Sequence, residues 1–89
     1  MARRSKLEII TDMLAAIRDK RGRIKPTHLL YKANLSHKKM TEYLEELLTK
    51  EMVKEEEVES YKYIIITDKG LGFLQEIKRI EEFTESFGL

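Results

Sequence analysis

The 89-residue sequence contains no cysteine and no tryptophan, and it has a single proline. Without cysteine the chain can form neither disulfides nor thiolate metal sites, so it shows no adaptation to an oxidising compartment. It also lacks any run of roughly 20 apolar residues that could span a membrane, and the apolar segment of a signal peptide is missing after the basic N-terminus. We therefore expect a soluble intracellular protein with no membrane contact.

Acidic residues are scarce in the first half of the chain and abundant in the second. Residues 1–39 contain eleven Lys or Arg and three acids, whereas residues 40–89 contain six and thirteen. The halves therefore carry net charges of +8 and −7, although the whole chain has only +1. This asymmetry favours a basic face for a polyanion such as nucleic acid. The alternative is that the two halves pair with each other in a charge-rich surface. The 42% hydrophobic content is sufficient for one small folded domain.

Two helices are indicated before residue 34. The capping box Ser5–Glu8 predicts a helix at about residues 5–20, which ends before Gly22. Pro26 opens a second, short helix that reaches about Ala33, because proline presets the backbone angle of a first helical position.

A third helix follows almost immediately. Asn34 and Leu35 form a tight turn, since Asn tolerates the left-handed conformation that such a turn needs. Ser36 then caps a helix that extends to about Lys50. Its apolar stripe has helical spacing and consists of Met40, Leu44, Leu47 and Leu48. Two helices joined by so short a turn are typical of a helix-turn-helix.

The hydrophobic period then changes from 3.6 to 2. Residues 52–56 and 61–66 read as two strands joined by a turn at residues 57–60, which is the hairpin of a wing. One face of the second strand carries Ile64 and Ile66, and the other carries Tyr61, Tyr63 and Ile65. A short extended piece at Arg23–Lys25 is a candidate third strand.

A last helix begins after the cap Thr67 and runs to about Ser86, with Gly88 as a stop. One of its stripes consists of Phe73, Ile77, Ile80, Phe83 and Phe87. The steps from Phe73 to Ile77, Ile80, Thr84 and Phe87 alternate between four and three residues, which is the spacing of a coiled-coil seam. A domain of this size cannot bury that stripe together with the second apolar face of the helix. We therefore predict a winged-helix domain at residues 1–66 and a helix at residues 67–89 that forms a homodimer.

The start of the third helix carries the side chains expected to contact DNA. They are His37, Lys38, Lys39 and Thr41. Two lysines in a first helical turn oppose the helix dipole, so folding stability does not explain them. In a helix-turn-helix these positions enter the major groove. An ordinary solvated face is the alternative, because acids follow in the same helix. Further candidates are the N-terminal arm and two positions chosen by location, namely Arg3, Arg4, Lys6, Lys32 and Lys62.

An enzymatic function finds little support. His28 and His37 are nine residues apart, fit no common zinc spacing and have no cysteine beside them. Lys69-Gly70 lacks the upstream glycines of a phosphate-binding loop. We expect no catalytic residue, metal site, cofactor or small-molecule ligand. The acidic wing tip at residues 57–59 argues against a wing that contacts DNA.

Three segments resemble an archaeal winged-helix family that includes the ten-kilodalton DNA-binding chromatin proteins and related transcription regulators. They are Met1–Ile10, Tyr31–Ser36 and Ile66–Gly70. The resemblance implies a homodimer held by an antiparallel coiled coil of C-terminal helices, and sequence-tolerant or operator-specific binding of duplex DNA. It places Lys32, His37, Lys38 and Thr41 in the DNA-facing unit. The sequence departs from the family at Glu51, where related chains often have Gly, and in a last helix that ends sooner.

The expected fold is therefore α+β, a winged helix-turn-helix whose C-terminal helix forms an antiparallel coiled-coil dimer. The expected function is double-stranded DNA binding by a transcription regulator or nucleoid-associated chromatin protein in the cytoplasm. A winged-helix module for protein contacts, with its acidic wing and its Tyr61 and Tyr63 face as the docking surface, is the alternative.

Overall fold

A computed structural model describes residues 4–89 of the chain. Within this range, helices and strands follow one another in the order typical of a winged helix. The elements are α1 (Lys6–Asp19), β1 (Arg23–Ile24), α2 (Pro26–Lys32), α3 (His37–Thr49), β2 (Val53–Val58), β3 (Tyr61–Ile66) and α4 (Asp68–Ser86). This confirms the predicted α+β winged helix-turn-helix fold, including the short third strand.

Side-chain caps fix where the three longer helices begin. The Ser5 hydroxyl accepts from the Glu8 amide at 3.1 Å, and the Glu8 carboxylate accepts from the Ser5 amide at 3.2 Å, which confirms the predicted capping box. The Ser36 hydroxyl accepts from the amide of the third residue of α3 at 3.2 Å. Thr67 caps α4 and also donates to the Glu51 carbonyl at 2.7 Å, so it ties the start of α4 to the end of α3.

Left-handed residues end α2 and α3. Asn34 has φ 53°, and the amide that follows it, of Leu35, donates to the Leu30 carbonyl at 3.0 Å. Glu51 has φ 60° in the equivalent place after α3, where the Met52 amide donates back into the helix. Asn adopts this conformation at little cost, whereas Glu does so against the steric preference of its Cβ. The turn between α2 and α3 therefore has suitable chemistry, and the turn after α3 is strained.

The three strands form an antiparallel sheet in the order β1-β3-β2. The hairpin is longer than predicted: β2 ends at Val58, which pairs with Tyr61, so only Glu59 and Ser60 make the turn. The predicted strand at residues 52–56 and turn at residues 57–60 were wrong in these bounds. Both turn residues have positive φ, 50° and 72°, a two-residue geometry that suits the twist of the strands. Neither is Gly or Asn, so the sequence carries no signal for this turn.

The core lies between the helices and one face of the sheet. Within residues 4–89 its largest fully buried side chains are Met13, Leu14, Ile17, Ile24, Leu29, Leu47, Val53 and Ile64. In β3 the predicted alternation is confirmed, because Ile64 and Ile66 are buried while Tyr61 is exposed and Tyr63 half-buried. The helix α4 contributes Leu74 to this core, and its side chains become exposed from Lys78 onward except for half-buried Thr84. The molecule is accordingly elongated, with extents of 49 × 31 × 21 Å.

Candidate nucleic-acid interface

The helix α3 presents its first turns to solvent. The side chains of His37, Lys38, Lys39 and Thr41 are all exposed, while Met40 between them is buried and anchors the helix on the core. Within residues 4–89 Lys38 forms no salt bridge, and Lys39 has only a long one to Glu42, at 3.9 Å. The Thr41 hydroxyl donates to the His37 carbonyl at 2.9 Å, which leaves the oxygen lone pairs of Thr41 directed outward. The structure thus brings these four predicted residues together on one exposed surface.

The remainder of α3 is acidic. Glu42 and Glu45 are exposed on the following turns, and from His37 to Thr49 the helix holds two lysines and three glutamates, a net charge of −1. A duplex can therefore approach the N-terminal end of α3 favourably, whereas contact along the whole helix would bring phosphates against carboxylates.

Arg4 is engaged within the chain. Its guanidinium donates from Nη1 to the Ala33 carbonyl at 2.7 Å and to the Asp12 carboxylate at 2.9 Å, and from Nη2 to the Asn34 carbonyl at 2.7 Å. The side chain therefore joins α1 to the turn between α2 and α3. Arg3, the other predicted arginine of the arm, lies outside the described residues.

Lys6 and Lys62 also have carboxylate partners. The Lys6 ammonium lies 2.6 Å from a carboxylate oxygen of Glu46 in α3. That hydrogen bond, reinforced by the negative charge of Glu46, raises the pKa of Lys6 above its ordinary value. In the wing, Lys62 lies 3.1 Å from Glu55 and is paired across the strands with Glu57. A DNA contact by either lysine requires exchange of a carboxylate for a phosphate.

Several cationic residues between the end of α1 and the end of α2 were not predicted as site residues. Lys32, His28 and Tyr31 of α2 line a shallow depression together with Lys20, which follows α1. The Tyr31 side chain is 75% exposed, unusual for an aromatic residue. Arg23 and Lys25 lie over the rings of Tyr63 and Tyr61, each at 4.4 Å from the ring centroid. The sequence signal for these cations was the crowding of basic residues at positions 20–25.

The predicted dimer stripe on α4 is divided by the fold. Phe73 and Ile77 are half-buried against the domain, whereas Ile80, Phe83 and Phe87 are 60%, 67% and 67% exposed. The rings of Phe83 and Phe87 pack against each other at a tilt, with centroids 4.9 Å apart. This leaves a contiguous apolar surface on the distal half of α4.

Residues 4–89 offer neither a cluster of metal ligands nor a membrane-spanning helix. No group of three or more His, Cys, Asp or Glu side chains there is arranged to hold a metal ion. None of the helices in that range has the length and apolar character needed to cross a membrane.

A family model described as winged helix-turn-helix matches residues 3–85. Because this covers nearly all of the chain, the protein belongs to the winged helix-turn-helix family, whose fold the structure displays. No curated protein sequence matches the chain significantly.

Solved structures show the same fold at low sequence identity. Sso10a-2, a DNA-binding protein from Sulfolobus solfataricus, superposes with a TM-score of 0.79 at 21% identity, over 94% of this chain and 85% of that one. F93 from STIV, a winged-helix DNA-binding protein, gives 0.76 at 15% identity, over 90% and 92%. AF1382 from Archaeoglobus fulgidus gives 0.71 at 23% identity, over 91% of each chain. The predicted resemblance to archaeal winged-helix proteins is confirmed.

Proposed function

We propose that the protein binds duplex DNA by inserting the N-terminal end of α3 into the major groove, and that it acts as a transcription regulator or a nucleoid-associated chromatin protein. The observation that carries this proposal is the exposed set His37, Lys38, Lys39 and Thr41 on the second helix of a helix-turn-helix. The structural neighbours Sso10a-2 and F93, which are DNA-binding proteins, support it.

The chemistry of the exposed set suits base edges. An ammonium donates to the O6 and N7 acceptors of guanine, and a hydroxyl or imidazole can donate or accept at several base edges. Within residues 4–89 Lys38 forms no salt bridge that DNA binding would have to break. The long contact between Lys39 and Glu42 is worth at most about 1 kcal/mol because both groups are exposed. Binding therefore requires little rearrangement of α3.

Chemical footprinting tests the choice of groove. Dimethyl sulfate methylates guanine N7 in the major groove and adenine N3 in the minor groove, so insertion of α3 should protect guanines and leave adenines reactive. The probe is a single end-labelled duplex of known sequence, chosen from genomic fragments that the protein binds at low salt. Protection of adenine N3 alone would contradict major-groove reading. A complete lack of duplex binding would favour the alternative of a protein-docking module with an acidic wing.

The double substitution Lys38→Ala with Lys39→Ala tests the residues. We expect weaker DNA binding with an unchanged melting temperature, because both lysines are exposed and oppose the helix dipole. A matched control is Lys50→Ala with Lys69→Ala, which removes the same charge from two exposed positions elsewhere. If the two double variants bind DNA equally well, the α3 lysines contribute only net charge.

We further propose that the distal half of α4 holds a homodimer together as an antiparallel coiled coil. Ile80, Phe83 and Phe87 expose most of their apolar surface, and an exposed contiguous apolar patch marks an interaction site. The charges near Ile80 favour the antiparallel arrangement. In an antiparallel pair that crosses at Ile80, Lys78 faces the partner's Glu82 and Arg79 faces the partner's Glu81, so opposite charges meet. A parallel pair would instead place like charges side by side.

Light scattering across micromolar concentrations measures the oligomeric state. We expect a dimer for the wild type and a monomer for Ile80→Asp, because the substitution places a charge without a partner in the apolar seam. Glu76→Gln, an exposed substitution on the same helix, is the control for surface changes in α4. A wild type that is monomeric throughout, or an Ile80→Asp variant that is still dimeric, would refute this interface.

A further inference from the structure

The cations without a carboxylate partner are concentrated away from α3. In the N-terminal half, the six lysines and arginines at positions 4–39 that form no salt bridge are Lys20, Arg21, Arg23, Lys25, Lys32 and Lys38. Only Lys38 belongs to α3. The other five, which we call the basic corner, lie in the turn after α1 (Lys20 and Arg21), in β1 (Arg23), between β1 and α2 (Lys25) and at the end of α2 (Lys32).

The charge balance separates the basic corner from the two elements that a winged helix usually directs at DNA. Residues 18–32 hold six cations and one acid, a net charge of +5. The helix α3 carries −1, and the hairpin from Val53 to Tyr63 carries −2, with four glutamates and two lysines. Sequence-independent affinity for DNA comes from neutralised phosphates, so in this chain it cannot come mainly from α3 or from the wing.

Two cations of the corner are held in place without being neutralised. Arg23 and Lys25 each lie over a tyrosine ring, at 4.4 Å from the centroid. The ring quadrupole attracts a cation but carries no net charge, so each side chain is oriented and keeps its full charge for an external anion. Asp12 and Asp19 line a depression with Lys20 and Lys32, and their carboxylates pair with Arg4 at 2.9 Å and with Arg18 at 3.1 Å. Glu56, across the strands from Tyr63, is the acid of the same sheet face.

The outer face of α2 adds further hydrogen-bonding groups next to the cations. His28 and the highly exposed Tyr31 line one depression with Lys20 and Lys32. Tyrosine hydroxyls and basic side chains are the groups that contact phosphate oxygens in protein–DNA complexes. The depression therefore combines two lysines with a histidine and a tyrosine that can donate to phosphate.

We propose that the basic corner binds the sugar–phosphate backbone of duplex DNA, as a contact surface separate from the base-reading end of α3. The inference rests on the proposed duplex binding and adds the source of its affinity. In this arrangement α3 supplies base contacts and the basic corner supplies most of the phosphate neutralisation.

The test is the salt dependence of DNA binding by the triple variant Lys20→Gln, Lys25→Gln, Lys32→Gln. Each phosphate contact contributes about 0.9 to the slope of log K against log salt, so the slope should decrease by up to about 2.7. Between about 50 mM and about 200 mM salt the wild type should therefore lose up to roughly 40-fold more affinity than the variant. The dimethyl sulfate protection of guanines should stay in the same positions, because α3 is intact.

A matched triple variant controls for net charge. Lys50→Gln, Lys54→Gln, Lys69→Gln removes three exposed cations from the acidic half of the chain. It should keep the wild-type slope. If both triple variants change the slope equally, or if the corner variant keeps the wild-type slope while the protein still binds duplex, the basic corner is not a backbone contact. Failure of the wild type to bind any duplex would instead refute the proposed function itself. Melting curves verify that each variant is folded, and the single variants Lys20→Gln and Lys32→Gln replace the triple if it is not.

Duplex length distinguishes whether the basic corner contacts the same duplex as α3 or a second one. If the corner contacts flanking phosphates of the duplex that α3 reads, the corner variant and the wild type should become equal on duplexes of about one helical turn. If it contacts a second duplex, short duplexes should still be joined in pairs by the wild type and not by the variant, as measured by capture of a labelled duplex on an immobilised one.

Discussion

Arg4 offers a sharp test, because its position in the sequence suggests a DNA contact and its hydrogen bonds in the structure suggest a clamp. The guanidinium holds the Ala33 and Asn34 carbonyls, both at 2.7 Å, and the Asp12 carboxylate at 2.9 Å. It therefore satisfies carbonyls at the C-terminal end of α2, where a positive charge also complements the helix dipole. Arg4→Ala removes all three bonds and loosens the turn that leads into α3.

The expected loss is about 2 kcal/mol of unfolding free energy. A hydrogen bond to a charged group is worth about 1.5–3 kcal/mol in favourable cases. The Arg4 side chain is 31% exposed and that of Asp12 47%, so water replaces part of each interaction, and the ion pair adds at most about 1 kcal/mol. For a domain of this size about 2 kcal/mol corresponds to a decrease in melting temperature of roughly 8–16 °C. Chain concentration must be equal in all samples, because dimerisation also shifts the melting temperature.

Thermal melting and fluorescence anisotropy with labelled duplex DNA at several salt concentrations separate the two roles. A clamp predicts a lower melting temperature, weaker binding and an unchanged salt slope. Arg4→Lys should recover only part of the stability, because one ammonium cannot reproduce the planar fork that reaches two carbonyls. Arg18→Ala is the matched control, since Arg18 is exposed and pairs only with the neighbouring Asp19. A normal melting temperature together with a slope reduced by about 0.9 would show that Arg4 leaves the turn and contacts a phosphate.

Two further predictions concern backbone conformation. Glu51→Gly should raise the unfolding free energy by about 1 kcal/mol in urea titration, because Glu51 has φ 60° and glycine adopts this conformation without strain; an unchanged or lower value would contradict the strain. Gly70→Ala should lower the unfolding free energy by about 1–3 kcal/mol, since a Cβ there would meet the Met52 carbonyl and lie 2.7 Å from Ile66. At Gly72 a Cβ would meet no atom, so Gly72→Ala should raise the unfolding free energy by up to about 1 kcal/mol through helix propensity. Equal effects of the two alanines in the same titration would refute this packing.

Local signals predicted the elements of this fold with good accuracy. Ser5, Ser36 and Thr67 have side chains that accept hydrogen bonds from amides only a few residues away, so their capping role depends on nearby sequence alone. The alternation in β3 likewise follows from the period of a strand. Where the turn residues carried no signal, as at Glu59 and Ser60, the extent of the hairpin was mispredicted, because pairing with β3 and not local preference sets the end of β2.

The tertiary structure decided which charges are available. The sequence determined that the N-terminal half is basic and that Lys38 and Lys39 lie in the first turn of the second helix of a helix-turn-helix. It could not determine that Arg4 reaches the turn before α3, or that Lys6 meets Glu46, forty residues away. It also could not separate the basic corner from the paired cations. A basic side chain is available to DNA only if the fold places no carboxylate within a few ångströms of it. That distance depends on how the whole chain packs, because the two partners can be far apart in sequence.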